Sequence, residues 1–430
     1  MSAEAGGHRV SWTQARQLAF AATRALPPTT VSLSAAVART LAEPVIALCD
    51  VPHYASSAMD GWAVRGSGPW VLAGGSSASA GAADSVAAAA AAAGANADTE
   101  SDADATADAD SDAAPTSSEA RAIVTGGLIP EGFDAVLRSE AGDVDSDARA
   151  GGDQILRSTV TPWPGQHIRP QGEEFRRGDV AIEAGVRLNP AHIAVAAACG
   201  VDALVVRARG RVSLVLTGDE VVTHGIPAPG TVRDSFGPQL PAFVGMLGAE
   251  VVRQERVGDD HDALVRALSA DASAHDVIIT TGGTGSSSAD HLRRALAELG
   301  ARILVDGVAM RPGGPSLLAR FADGRLLIGL PGNPLAAIMG LLTLAAPLLG
   351  ALAGAGPPEP SRIRLAQAVP AGRGETRLIP FRLVDGLARP SAFTGSAMLR
   401  GLADASGVLI CANSDADAGD ELQFLTLPWA

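Results

Sequence analysis

"DVIITTGGTGSSSADHLRRALAELG", residues 276–300, reads as a strand, a glycine-rich turn and a helix in direct succession. The run "DVIITT" is a strand that ends in "GGTG". The run "SADHLRRALAELG" is a helix that opens at a Ser/Asp cap and closes at Gly300. The same alternation extends on both sides. Upstream, "RVSLVL" is a strand of β-branched and leucine residues that ends in "TGDE". "SFGPQLPAFVGMLG" is a helix with a proline early in it, "AEVVRQERV" a strand, and "DDHDALVRALSA" a helix with Leu264, Val265 and Leu268 on one face. Downstream, "ARILVDGVAM", "PSLLARF" and "RLLIGL" are strands, and "PGNP" opens a long apolar helix. Strands alternating with helices at this spacing predict a mostly parallel sheet with helices on both faces, over about residues 206–354.

Open sheets of this kind bind ligands at the carboxyl ends of their strands. Three strands here end in polar glycine-rich loops: "TGDE" (217–220), "TTGGTGSSSAD" (280–290) and "LPGNP" (330–334). Glycines let backbone N–H groups approach a phosphate, and the helix that follows adds positive dipole. The loops match neither the Walker pattern GxxxxGK[ST] nor GxGxxG, so the reading is an anion cradle for a nucleotide or phosphorylated ligand. Carboxylates lie at the same places: Asp219, Glu220, Asp259, Asp260 and Asp290. Beside a phosphate they need a hard cation between, and Mg²⁺ held by one or two carboxylates plus phosphate is the usual solution. Asp259, Asp260 and Asp290 also suit helix caps. "MRPGGPS" (310–316) is a rigid turn with one cation, Arg311, suited to an oxyanion or to a surface salt bridge.

The chain of 430 residues is too long for one core, and its aromatic content of 3% favours close α/β packing over aromatic-rich sandwiches. Residues 75–119 interrupt it with an alanine run and Asp/Ser alternation, without lysine, arginine or an aromatic ring. Such a stretch cannot offset the entropy of ordering, which predicts a disordered insertion leaving an exposed turn between two strands of one small domain. The net charge is −14, but without the insertion the balance is 33 bases against 38 acids. No basic face suggests nucleic acid. Cys49, Cys199 and Cys411 stand far apart, as expected of a reducing, cytoplasmic compartment. The N-terminus shows no signal-peptide pattern. "LAAIMGLLTLAAPLLGALAGAG" (335–356) is long enough to span a bilayer, but Pro347 and the poverty of flanking positive charge and interfacial aromatics favour a buried helix and no membrane. "GAGPPEP" is a linker, and short apolar runs beyond it predict a small β domain over 358–430. "TQARQLAFAATRAL" and "NPAHIAVAAACG" predict helices in a mixed first domain made of 1–50 and 161–205, which frames a β-rich second domain over 51–160.

Seven motifs in order carry a resemblance: "SSAMDGWAVRG", "TGGLIPEGFDAVL", "RPQGEEFRRGDV", "LTGDEV", "TTGGTG…AD", "VAMRPGGPSLLA" and "LPGNPLAA". Together they resemble the molybdopterin molybdenumtransferases, the MoeA and gephyrin E-domain family, over nearly the whole chain except the insertion. The C-terminal "TGSAMLRGLADASGVLI…AGDELQFLTL" is similar to that family's last domain. The resemblance implies a Mg²⁺-dependent enzyme that takes adenylylated molybdopterin and molybdate, inserts the metal and releases AMP. It implies a homodimer of four-domain subunits whose cleft lies between the α/β domain and the partner's second domain, with other cofactor-assembly proteins as further partners. By motif position it implies Asp60, Thr125, Glu173, Glu174, Glu220, Asp259 (or Asp260) and Asp290 as catalytic residues, with Asp60, Glu220 and Asp290 toward Mg²⁺ or water. Thr217, Gly218, Gly282, Gly283, Thr284, Ser286, Arg311, Pro312, Pro315, Pro331, Gly332 and Asn333 follow as ligand-binding positions, with Pro334 shaping the last turn. Two departures stand out. The family commonly has a Ser-x-Gly step where this chain reads "GGTGSSSAD", and Lys-Pro-Gly-Lys-Pro where it has Arg311-Pro-Gly-Gly314-Pro. Losing the second lysine removes a point charge, and arginine is not an equivalent donor to the first. The alternative is a non-catalytic or altered paralogue that binds molybdopterin or scaffolds cofactor assembly.

Overall fold

The computed structural model describes residues 9–73, 118–145, 154–282, 289–357, 359–372, 374–412 and 414–430, with backbone alone at 289 and 290. The chain divides into two compact units: Met1–Pro44, Glu183–Ile193 and Ala203–Ala430 form one, and Val45–Ile182 with Ala194–Asp202 the other.

In the larger unit a six-stranded sheet runs in the order Glu250–Val257, Arg211–Thr217, Val277–Thr281, Leu326–Leu330, Leu317–Arg320, Arg302–Asp306. The first four strands pair in parallel, and Leu317–Arg320 alone runs against the rest, antiparallel to both its neighbours, so the sheet is mostly parallel as expected. Successive side chains on a strand point to opposite faces, and the core obeys that period. Leu214, Leu216, Val277, Ile279 and Ile328 pack into one layer with Leu240, Phe243 and Val244 of the helix Phe236–Met246. Val215, Ile278 and Leu327 point the other way, onto Leu264 and Leu268 of His261–Ser269 and Leu292 and Leu296 of Ala289–Glu298.

"ARILVDGVAM" is not one strand. Gly307, at φ +82°, breaks it. Arg302–Asp306 stays on the sheet edge, while Val308–Arg311 turns away and pairs in parallel with both Val10–Ser11 and Thr376–Val384. It thereby joins a seven-stranded sheet built mostly from the C-terminal segment. This switch places Arg311 beside the tips of the parallel strands.

The apolar run forms a helix over Pro334–Leu352, with 89% of its most apolar window buried. It is a core helix of the α/β layer. Leu341–Ala345 forms a π turn just ahead of Pro347, and Ala346 N–H bonds back to Leu341 O. Proline has no N–H to continue the ladder, and a widened turn releases carbonyls for other donors. Arg16 on the first helix, Trp12–Ala21, donates to Leu342 O at 2.9 Å. Trp12 Nε1 donates to Thr343 Oγ1 at 3.1 Å, and that hydroxyl donates to Met339 O at 2.7 Å. Burial lowers the Arg16 pKa to about 10.

The smaller unit holds a six-stranded sheet in the order Ala135–Arg138, Gly61–Arg65, Glu119–Ile123, Trp70–Leu72, Ile155–Arg157, Asp143–Asp145. Its core is Val64, Trp70, Ala120, Leu137 and Leu156. The expected insertion of 75–119 ends earlier than proposed. Glu119 opens a strand, and its carboxylate pairs with Arg65 and, at 3.2 Å, with Arg121. Residues 75–117 of the insertion lie outside the described residues. The flanking strands Trp70–Leu72 and Glu119–Ile123 are parallel neighbours, so the link between them is a crossover and not a hairpin turn.

Candidate active site

At the carboxyl ends of the parallel strands lies a cavity of about 540 Å³. Thr217, Gly218, Glu220, Asp259, Gly282, Gly332 and Asn333 of the expected set line it. The strand tips are tied together. Thr217 Oγ1 donates to Thr281 O at 2.8 Å, and Gly282 N–H donates to Leu330 O at 3.0 Å. Gly282 sits at φ +83°, and a Cβ added there would lie 2.5 Å from Thr217 Oγ1. Glycine is therefore required by conformation and by space. Thr281 also lines the cavity, is 1% exposed, and among the described residues its hydroxyl has no hydrogen-bond partner. A buried unpaired hydroxyl at a cavity wall invites a ligand acceptor or donor.

The acids separate by role. Asp259 lines the cavity, while Asp260 caps the helix His261–Ser269, accepting from Ala263 N at 2.6 Å. Asp219 and Asp259 bind each other's backbone: Asp259 N–H donates to Asp219 Oδ1 at 3.2 Å, and Asp219 N–H to Asp259 Oδ2 at 3.5 Å. This pair joins the loops after two neighbouring strands. Asp290 falls in the first turn of Ala289–Glu298, and its side chain, like Gly283, Thr284 and Ser286, lies outside the described residues.

The remaining positions line a second cavity of about 370 Å³: Arg311, Pro312, Pro315 and Pro331. Asn333 lines both cavities and stands at the start of the long buried helix. Glu220 and Pro331 therefore line two different cavities that share Asn333.

Residues that pattern reading passed over complete both cavities. Arg233, Asp234 and Arg256 line the first. Asp234 Oδ1 accepts from Phe236 N and Gly237 N, both at 3.0 Å, and Oδ2 pairs with Arg256. "TVRDSFG" carries a capping signal for this, but nothing local points from Asp234 to Arg256. Arg9, Glu375 and Ser396 line the second cavity, and their separation along the chain hides them.

In the smaller unit, Asp60 and Thr125 meet. Asp60 Oδ1 accepts from Thr125 N at 2.7 Å and from Thr125 Oγ1 at 3.0 Å. These bonds, the backbone one foremost, hold the Asp60 carboxyl below the usual carboxylate range. Glu173 and Glu174 are exposed, on a loop pinned by Glu174 N–H to Val51 O at 2.9 Å, with Asp50 accepting from Arg177 N at 2.8 Å. Among the described residues, Asp60 and Thr125 bond to each other and no hydrogen bond joins them to the two glutamates.

A mostly parallel sheet with glycine-rich tips, a cavity at their ends and acids along its wall form an arrangement suited to an anionic, phosphate-bearing molecule. Residues 213–351 match the family described as "Probable molybdopterin binding domain", and residues 10–200 match "MoeA N-terminal region (domain I and II)". A molybdopterin molybdenumtransferase of Nostoc is 30% identical over 411 residues, 93% of this chain and 88% of the relative. One of Staphylococcus aureus is 30% identical over 331 residues, 77% and 73% respectively. A crystal structure of a molybdopterin biosynthesis MoeA protein from Pyrococcus horikoshii superposes with TM-score 0.72 at 20% identity, covering 97% of this chain and all of that one. This chain belongs to the molybdopterin molybdenumtransferase family.

Proposed function

We propose that the chain inserts molybdenum from molybdate into adenylylated molybdopterin and releases AMP. Family membership supports the insertion reaction. The observation that carries the assignment to specific residues is the meeting of three loop tips, around Thr217, Gly282 and Gly332, at one cavity, with the Thr281 hydroxyl in its wall lacking a partner among the described residues.

In this reading the cavity beneath the strand tips takes the phosphate-linked nucleotide end of the substrate. The neighbouring cavity takes molybdate, a compact dianion, against Arg311 and the amino end of the Pro334–Leu352 helix. Asn333, shared by both, orients the two substrates toward each other. Glu220 and Asp259 offer hard oxygen donors at the rim, and one or two carboxylates plus substrate phosphate is the donor set that Mg²⁺ prefers. They fit the ion, with Asp290 as a further candidate. When bound it would neutralise charge on the phosphoanhydride. Arg233 and Arg256 add positive charge at the same wall. Asp60, kept ionised and oriented by Thr125, is the candidate for positioning water or metal from the second unit in a homodimer. Glu173 and Glu174 remain candidates on a neighbouring loop of that unit, and the cytoplasm is the proposed compartment.

The test is to mix the purified chain with adenylylated molybdopterin, molybdate and Mg²⁺ and to follow AMP. Release that depends on molybdate is the expected result. Tight pterin binding with no AMP would overturn the enzymatic reading in favour of a binding protein.

A further inference from the structure

The second lysine of the Lys-Pro-Gly-Lys-Pro turn that the family commonly carries is Gly314 here. We propose that Arg9, from the other end of the chain, supplies the missing cation of the oxyanion cavity. The inference rests on the assignment of molybdate to that cavity.

Four observations place Arg9 there. Val10–Ser11 pairs in parallel with Val308–Arg311, with Val10 opposite Val308 and Val10 N–H donating to Gly307 O at 3.3 Å. The strand thus delivers Arg9 to the turn that holds Arg311. The Arg9 side chain then runs over two residues that have none. A Cβ added at Gly307 would lie 3.2 Å from Arg9 Cγ, and one added at Gly314 would lie 3.1 Å from Arg9 Nη1. The guanidinium lies against the space that a side chain at 314 would enter, so such a side chain would crowd it by a few tenths of an ångström. Glu375 Oε1 holds Arg9 Nη1 at 3.1 Å. Finally, Arg9 lines the same 370 Å³ cavity as Arg311 and Ser396. A guanidinium presents five donors, so the bond to Glu375 leaves others for a tetrahedral oxyanion. The replacement exchanges a point charge for a half-exposed planar fork with one ion pair to Glu375.

The experiment uses the full chain and the variants Arg9→Ala and Arg9→Lys. Molybdate binding is measured by equilibrium dialysis, and the molybdate concentration giving half-maximal AMP release is measured alongside the Kd for adenylylated molybdopterin. Arg9→Ala is expected to weaken molybdate binding about tenfold, or roughly 1.4 kcal/mol. Its pterin Kd should not change, and Arg9→Lys should restore part of the loss. Unchanged molybdate affinity in a folded Arg9→Ala chain overturns the proposal. So does equal weakening toward both substrates, which marks a general structural effect, and so does wild-type protein that binds no molybdate. The two readings fail separately. Molybdate binding that depends on Arg9 without AMP release removes the enzyme and keeps the site. AMP release whose molybdate dependence ignores Arg9 removes the site and keeps the enzyme.

Discussion

Gly282→Ala tests the joint between strand tips on which the first cavity depends. Alanine at φ +83° costs about 1–2 kcal/mol, because its Cβ crowds the carbonyl in the left-handed region. The new methyl would also lie 2.5 Å from Thr217 Oγ1, so the hydroxyl must move and give up its 2.8 Å bond to Thr281 O. Losing that bond adds roughly 1 kcal/mol. The expected sum is about 2–3 kcal/mol. The second part is separable, because Thr217→Ala removes the oxygen that clashes. Thr217→Ala alone should cost about 1 kcal/mol, and the double variant should cost about 1 kcal/mol less than the two singles added. Urea unfolding of the four proteins, read by far-UV circular dichroism with each transition fitted separately, gives the cycle. Additive single effects, or a Gly282→Ala chain as stable as wild type, would refute the contact between Thr217 and residue 282.

Asp259→Asn should fold like wild type and slow AMP release at least tenfold, whereas Asp260→Ala should lose about 1 kcal/mol of stability as a helix cap with turnover retained. The reverse pattern in paired unfolding and AMP assays would exchange their roles. His275 is 2% exposed, and Arg325 Nη1 lies 2.9 Å from its Nε2. Burial foremost, then Arg325 and Arg253, push its pKa below the ordinary value. In the unfolded chain it takes up a proton near pH 6.5, which the folded chain resists, so stability should be full above about pH 6.5 and fall as pH drops below it. His275→Gln should flatten that slope in pH-dependent unfolding, and an unchanged slope would acquit the residue. Replacing residues 76–117 by a flexible linker of about ten residues should raise stability by roughly 1 kcal/mol through cheaper loop closure. A clear drop in Tm would show that the segment packs.

Alternation of strands and helices over 206–354, the glycine-rich tips and the buried character of the 335–356 run were legible from local pattern. Burial on both faces leaves continuous apolar runs such as "LLIGL", and these need no partner to be recognised. Asp60 and Thr125 stand 65 residues apart, and only the family motif, not their spacing, brought them together before coordinates did. Asp259 and Asp260 were indistinguishable in sequence, because either suits a cap or a site. The backbone decided between them by giving Asp260 the capping dihedrals, φ −115° and ψ 127°.

What the sequence determined by itself is whatever its neighbours along the chain impose: element type, turn chemistry, the sheet's apolar layers and membership of a family. What the tertiary structure alone decided is which distant residues share a space. Gly307 sends Val308–Arg311 into a second sheet, and that sheet gathers Arg9, Arg311, Glu375 and Ser396 from across the chain around one cavity. No periodicity encodes such a meeting, because it arises from strand pairing between distant segments, as of Val10 with Val308, and from the bond of Arg9 to Glu375 across 366 residues.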